Sequence, residues 1–168
     1  PLPIEPEKEQ PELTRTEYFR LLQSAKKMHK KRAYLLLKLI CCAGIRTHEI
    51  AQITFESIQQ QKITVCSHGL NRSLELPALL QKELLDYAKQ QNITFGPLFI
   101  NKNGTPMSRV NIFDDIKALC KQAQIAEEKV NPRCLFKLYQ TTQEDIWQQV
   151  SSLAKQTYEN LLKQEEFI

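Results

Sequence analysis

An apolar run from Tyr34 to Cys42, interrupted only by Lys38, leads directly into Ala43-Gly44-Ile45-Arg46-Thr47-His48-Glu49-Ile50. A run this apolar has no solvated face, so residues 31–43 are expected to form a buried helix. Gly44 can relax the backbone between two helical segments, and Ile45, Ile50 and Ile53 anchor the second of them. This arrangement holds Arg46 on the rim of a packed core. A planar fork of five donors at that place suits a phosphate better than a lysine would. The plainer reading is a surface arginine in a helix-helix junction.

The chain around this stretch is expected to be mostly helical. Residues 1–12 hold four prolines and four glutamates, which reads as an extended lead-in or interdomain linker before a domain spanning 13–168. Thr14 and Glu17 have capping-box spacing and open an amphipathic helix over about 15–28. A short helix over 45–53 carries Arg46. Lys62 to Cys66 and Arg72 to Leu76 read as two strands of an antiparallel hairpin, with a turn over 67–71. Helices follow over about 79–90, 109–123, 133–139 and 143–166. In the last, Ile146, Val150, Leu153, Ala154, Tyr158, Leu161 and Leu162 recur at threes and fours. Trp147 and Phe167 read as packing residues. The expected fold class is mixed α/β, mostly helical, in one compact domain with a small antiparallel sheet.

A net charge of +4 permits nucleic-acid binding without demanding it. Its distribution says more: Lys26, Lys27, Lys30, Lys31 and Arg32 crowd together just before the apolar helix. Such a run tracks a DNA backbone or forms a solvated helix end. The cysteines number five, an odd count whose spacings match no zinc pattern, so buried free thiols and a reducing cytoplasm are expected, with no metal. The longest apolar stretch is too short to span a bilayer, so no membrane association is expected.

Gly44-Ile45-Arg46-Thr47-His48-Glu49-Ile50 resembles the first arginine motif of the tyrosine recombinases, or phage integrases, Gly-Leu-Arg-x-x-Glu-Leu. Leu13-Thr14 with Glu17-Tyr18 resembles the opening of that family's catalytic domain. Asn103-Gly104-Thr105-Pro106-Met107-Ser108 resembles a turn in its middle, and Val130-Asn131-Pro132 the approach to its second motif. The resemblance runs in order over about residues 13–137. It implies a tyrosine-recombinase catalytic-domain-like fold, double-stranded DNA as partner, and mobile-element integration or recombination through a phosphotyrosyl link, without metal, ATP or other cofactor.

The resemblance also assigns site residues. Arg46 fills the first phosphate-clamp position. The second motif, Pro-His-x-Leu-Arg-His in the family, reads Pro132-Arg133-Cys134-Leu135-Phe136-Lys137 here. Phe136 replaces the second arginine and cannot donate to phosphate, which leaves Arg133 and Lys137 as the cations able to compensate. The hairpin lysine that serves as general acid is absent from its turn. His68 falls nearest to it, with Lys62 the alternative, and Arg72 either touches DNA or supports the hairpin. Tyr158 is the expected nucleophile, set against an ordinary place on a helix face. Exchange of C-terminal segments implies a homo-oligomer on DNA, with Phe167 and Ile168 as anchor. Three functions are therefore carried forward: a recombinase, a catalytically silent DNA-binding or accessory protein of the same fold, and a helical protein-interaction domain.

Overall fold

In the computed structural model, which describes residues 10–168, the apolar run becomes helix α2 (Lys31–Cys41). Ala33 to Leu37 and Leu39 to Cys41 are buried, and α2 is packed by α1 (Arg15–Lys27), α4 (Ala78–Gln90), α5 (Arg109–Lys117) and α7 (Pro132–Glu165). Lys38, the one charge in the run, escapes at the edge. Its ammonium lies 4.4 Å from the Tyr34 ring centroid and donates to Glu83 on α4 at 2.8 Å. A helix surrounded in this way organises the domain through apolar burial.

The start of α1 is the reciprocal cap that the sequence announces. Thr14 Oγ1 accepts from Glu17 N–H, and Glu17 Oε1 accepts from Thr14 N–H, each at 3.1 Å. Of the lead-in expected over 1–12, residues 1–9 lie outside the described residues. Pro11 and Glu12 dock on α7, where the Pro11 carbonyl accepts from Arg133 at 2.9 Å and from the Cys134 thiol at 3.2 Å.

Helix α2 ends at Cys41, and the chain then turns through a left-handed residue, Gly44, at φ +74°. The Tyr139 ring of α7 lies against it, so an added Cβ would sit 2.5 Å from Tyr139 Cζ. The helix expected over 45–53 is shorter and tighter: residues Thr47–Gln52 form a 3-10 turn. Arg46 stays extended in front of it (φ −78°, ψ 153°), because its N–H is captured by Glu49 Oε1 at 2.8 Å. Helix α3 (Phe55–Ile58) closes this unit.

Strands β1 (Lys62–Ser67) and β2 (Leu70–Glu75) pair antiparallel in the register Lys62↔Glu75 to Ser67↔Leu70. The turn is shorter than the 67–71 expected. His68 and Gly69 both take positive φ (53° and 77°), which gives a two-residue loop whose twist matches the strands. Ile63 and Val65 point into the core, and the Gln52 amide extends the sheet edge by bonding both Cys66 backbone groups at 2.6 and 2.7 Å.

The helix expected over 109–123 divides into α5 and α6 (Cys120–Ala123), with an i→i−3 bond from Leu119 N–H to the Ile116 carbonyl at the junction. The two helices expected over 133–139 and 143–166 fuse into α7, with Asn131 as its cap and Pro132 at its first position. No Gly or Pro interrupts it, and Thr142 satisfies its hydroxyl on the Leu138 carbonyl at 2.8 Å without leaving the helix.

Only Cys134, Leu135 and Leu138 of α7 are buried, so the compact ending foreseen from periodicity does not occur. Beyond Gln143 every residue is exposed, including Trp147 (65%), Tyr158 (70%) and Phe167 (89%). The periodicity specified the helix and did not specify a partner for its apolar stripe. The expected burial of all five cysteines also fails at Cys42 and Cys66, which are exposed. No described helix is long and apolar enough to cross a membrane.

Replacing Gly44 by Ala should cost about 2–4 kcal/mol in urea denaturation, from left-handed strain and the clash with Tyr139. In a Tyr139→Ala background the same change should keep only the backbone part, about 1–2 kcal/mol. An equal cost in both backgrounds would show that the ring contact is irrelevant.

Candidate functional site

The loop after α2, the start of α5 and the start of α7 border one cleft of about 280 Å³. Arg46, His48, Arg109, Arg133 and Phe136 line it, and no Asp or Glu does. Arg46 projects from the extended residue before the 3-10 turn, and its guanidinium carbon sits 4.7 Å from the Phe136 ring centroid. The ring occupies one face of the guanidinium and leaves the in-plane N–H groups to point elsewhere.

Behind Arg46 lies a wholly buried carboxylate. Glu49 accepts from Arg46 N–H and from the Arg72 guanidinium, by Nε at 3.1 Å and by a second, shorter bond from Nη2. Arg72 Nη2 also donates to the Gly44 carbonyl at 2.8 Å. Burial alone would raise the Glu49 pKa, but the bonds from Arg72 and the Arg46 amide outweigh it and hold the carboxyl below its ordinary value. Arg72 itself is committed to this internal network, so it braces the hairpin against the Arg46 loop.

His48 joins the cleft to the hairpin turn. Its Nε2 shares a 2.5 Å hydrogen bond with Ser67 Oγ, and its ring lies 5.6 Å from that of His68. His68 is exposed beside the cleft without lining it, and Lys62 sits at the opposite end of β1.

Of the two cations expected to compensate for Phe136, the structure brings one to the cleft. Arg133 lines it, although one amino group is bonded to the Pro11 carbonyl. Lys137, one turn along, pairs with Glu12 and does not line the cleft. The wall that Lys137 faces is the docked end of the lead-in.

Tyr158 is not brought to the cleft. It lies 22 residues beyond Phe136 on one uninterrupted helix, a rise of about 33 Å at 1.5 Å per residue. The other tyrosines are no closer to the role: Tyr18, Tyr34 and Tyr87 are core residues, and Tyr139 covers Gly44.

The basic run divides in the same way. Arg32 is held by Asp115 through two bonds of 2.5 and 2.8 Å, and Lys31 by Glu83 at 3.3 Å, so both are tied into the fold. Lys26, Lys27 and Lys30 remain exposed near the start of α2, and Arg46 follows its other end. Arg109 went unrecognised in the sequence. The available signal was a cation at the first position of a helix, where the macrodipole disfavours positive charge.

The Glu49 network carries a pH signature. A carboxyl depressed in the folded state contributes stability above its unfolded pKa, about 4.3, and loses it as pH falls through the lower folded value. Glu49→Gln should cost about 3 kcal/mol at pH 7, and the gap from wild type should narrow below pH 4, by urea denaturation. A gap that stays constant from pH 7 to 3 would contradict a charged Glu49.

The profile of the phage integrase family matches residues 11–135 of this chain. No curated protein sequence matches it. Among solved structures, XerA recombinase superposes with a TM-score of 0.66 at 23% identity, over 78% of this chain and 49% of that one. The integrase from mycobacterium phage Brujita gives 0.61 at 24% identity, over 83% and 46%. The Tn1549 transposon integrase, in complex with transposon right end DNA, gives 0.65 at 14%, over 85% and 56%. The chain thus spans about half the length of these proteins. At such identities the superpositions establish a shared fold: a mostly helical domain with a small antiparallel sheet. With the family profile covering well over half its length, the chain belongs to the phage integrase family of tyrosine recombinases, as a divergent form of the catalytic domain.

Proposed function

We propose that this chain engages duplex DNA in site-specific recombination, seating a backbone phosphate in the Arg46 cleft. The observation that carries this reading is a cleft bordered by arginines with no carboxylate among its lining residues. Phosphate is the ligand that such planar forks match best. Two neighbours in the fold, the lambda integrase and the Tn1549 integrase, have structures in complex with DNA, which supports the same partner here. Arg46 and Arg133 contact the phosphate, and Lys26, Lys27 and Lys30 follow the backbone farther along. Residues 13–168 form the DNA-engaging unit, with 1–12 as its lead-in.

In the cutting form of this reading, a tyrosine hydroxyl releases its proton to solvent as its oxygen bonds to phosphorus, while the bond to the 5′ oxygen breaks and that oxygen leaves protonated. The energy of the phosphodiester is retained in the tyrosyl link, so neither ATP nor metal is required. His68 is the nearest hairpin group able to supply the leaving proton. Tyr158 stands too far along α7 to reach its own cleft, so in this form it serves the cleft of a second copy through a C-terminal exchange on DNA. Phe136, which removes one charged donor from the transition-state clamp, favours the second reading: a DNA-binding accessory protein that does not cut.

The first expected outcome is duplex binding by fluorescence anisotropy, with log affinity falling linearly as log salt rises. No binding at low salt would defeat both readings and leave a protein-interaction domain. The second test is covalent trapping on a nicked suicide duplex built from DNA flanking the coding gene. A denaturant-resistant band that disappears in Tyr158→Phe identifies the cutting form, and verified binding without a band identifies the accessory form. A band that persists in the variant assigns the nucleophile elsewhere.

A further inference from the structure

Arg109 is the first residue of α5, directly behind the Ser108 cap, and Arg133 is the second residue of α7. Neither helix has an acidic residue in its first turn. Helix N-termini already carry partial positive charge, so an arginine there is unfavourable unless an anion joins it. Arg46 reaches the same cleft from the loop after α2, which makes three guanidinium groups around about 280 Å³.

Four of the other five arginines among the described residues are already hydrogen-bonded, and several lysines are paired. Lys31 and Lys38 meet Glu83, Arg32 meets Asp115, Arg72 meets Glu49, Lys129 meets Glu17 and Lys137 meets Glu12. Arg20 is satisfied by the Ala123 and Gln124 carbonyls. Among the described residues the side chains of Arg46 and Arg109 make no hydrogen bond and no ion pair, although they share one cleft. Arg133 has already given an amino group to Pro11. Two unused forks therefore face a site with no acidic lining, and the aromatic ring beside them can accept nothing from an in-plane N–H.

We infer that Arg109 is the second arginine of the clamp, supplying from α5 the phosphate contact that Phe136 cannot make from α7. The inference rests on the cleft being a backbone-phosphate site. Phe136 then has a definite part: it stacks on Arg46 and keeps that guanidinium beside the phosphate, while Arg109 brings the additional donors. Two forks can take the two non-bridging oxygens of one phosphodiester, a geometry that a lysine would not reproduce.

The test uses the whole chain and two probes. Dimethyl phosphate, a phosphodiester without bases, is titrated while the Nε–Hε resonances of Arg46 and Arg109 are followed by NMR, each assigned from its Arg→Lys variant. Both should shift along one binding curve, and Arg109→Gln should weaken the Arg46 response about tenfold. A shift at Arg46 alone, or at neither, overturns the inference. The second probe is a duplex of about 30 base pairs over a range of KCl. Arg109→Gln and Arg46→Gln should each weaken binding about tenfold and reduce the salt slope by about 1, whereas Lys121→Gln, outside the cleft, should do neither. Because both arginines hold one phosphate, the double variant should lose less than the product of the single losses. If wild type binds duplex and Arg109→Gln behaves like Lys121→Gln, Arg109 is not in the clamp. If wild type binds no duplex, the DNA reading fails, and the dimethyl phosphate curve alone decides whether the two arginines form an anion site. All these side chains are exposed, so unchanged thermal unfolding of the variants is the expected folding control.

Discussion

A single buried carboxylate holds the functional end of this domain together. Glu49 has no exposed surface, yet it carries a charge, because three donors converge on it from two chain segments. One of those donors is the backbone of Arg46, so the position of the cleft's first arginine is set by a residue that never reaches the cleft. Another is Arg72, which also takes the Gly44 carbonyl and thereby ties the hairpin to the end of α2. Losing the carboxylate would leave Arg72 half-buried without a counter-charge, a far larger penalty than losing an exposed pair.

Around this anchor the fold separates structural from available charge. Arg20, Arg32 and Arg72 have been given a carboxylate or a carbonyl, and Arg46 and Arg109 at the cleft have been given neither. Phe136 belongs to the same logic. In place of a donor it offers a flat apolar surface, which orders the neighbouring guanidinium by stacking and leaves donation to others. Substitution of a charged group by a ring has thus altered who binds, without dismantling the place where binding occurs.

How much of this was legible in the sequence depended on range. The α1 start was readable because Thr14 and Glu17 interact three residues apart, and the Arg46 loop because Gly44 and Glu49 sit within its own motif. The buried α2 was readable from density of apolar residues alone. Two positions on α7 were out of reach for different reasons: Lys137 pairs with Glu12, 125 residues away in the chain, and Tyr158 lies on a stretch of helix that is exposed throughout. Lys137 turned toward a lead-in segment that composition had marked as a linker. The periodic stripe from Ile146 to Leu162 correctly indicated a helix, but amphipathicity records only that a face is apolar and not whether this chain covers it. Arg109 lay in plain sight behind a turn, yet its convergence with Arg46 depends on how α5 packs against α2.

The long unsupported half of α7 also has a mechanical side. Between Tyr139, seated on Gly44, and Glu165 the helix runs 26 residues, or about 39 Å at 1.5 Å per residue. It is a lever arm whose pivot is the base of the helix, where Cys134, Leu135 and Leu138 enter the core and Tyr139 rests on Gly44. A tilt of about 10° at that pivot carries the far end through about 7 Å, while residues at the cleft, close to the fulcrum, scarcely move. Small adjustments in how that base sits on the core are therefore amplified at the tip.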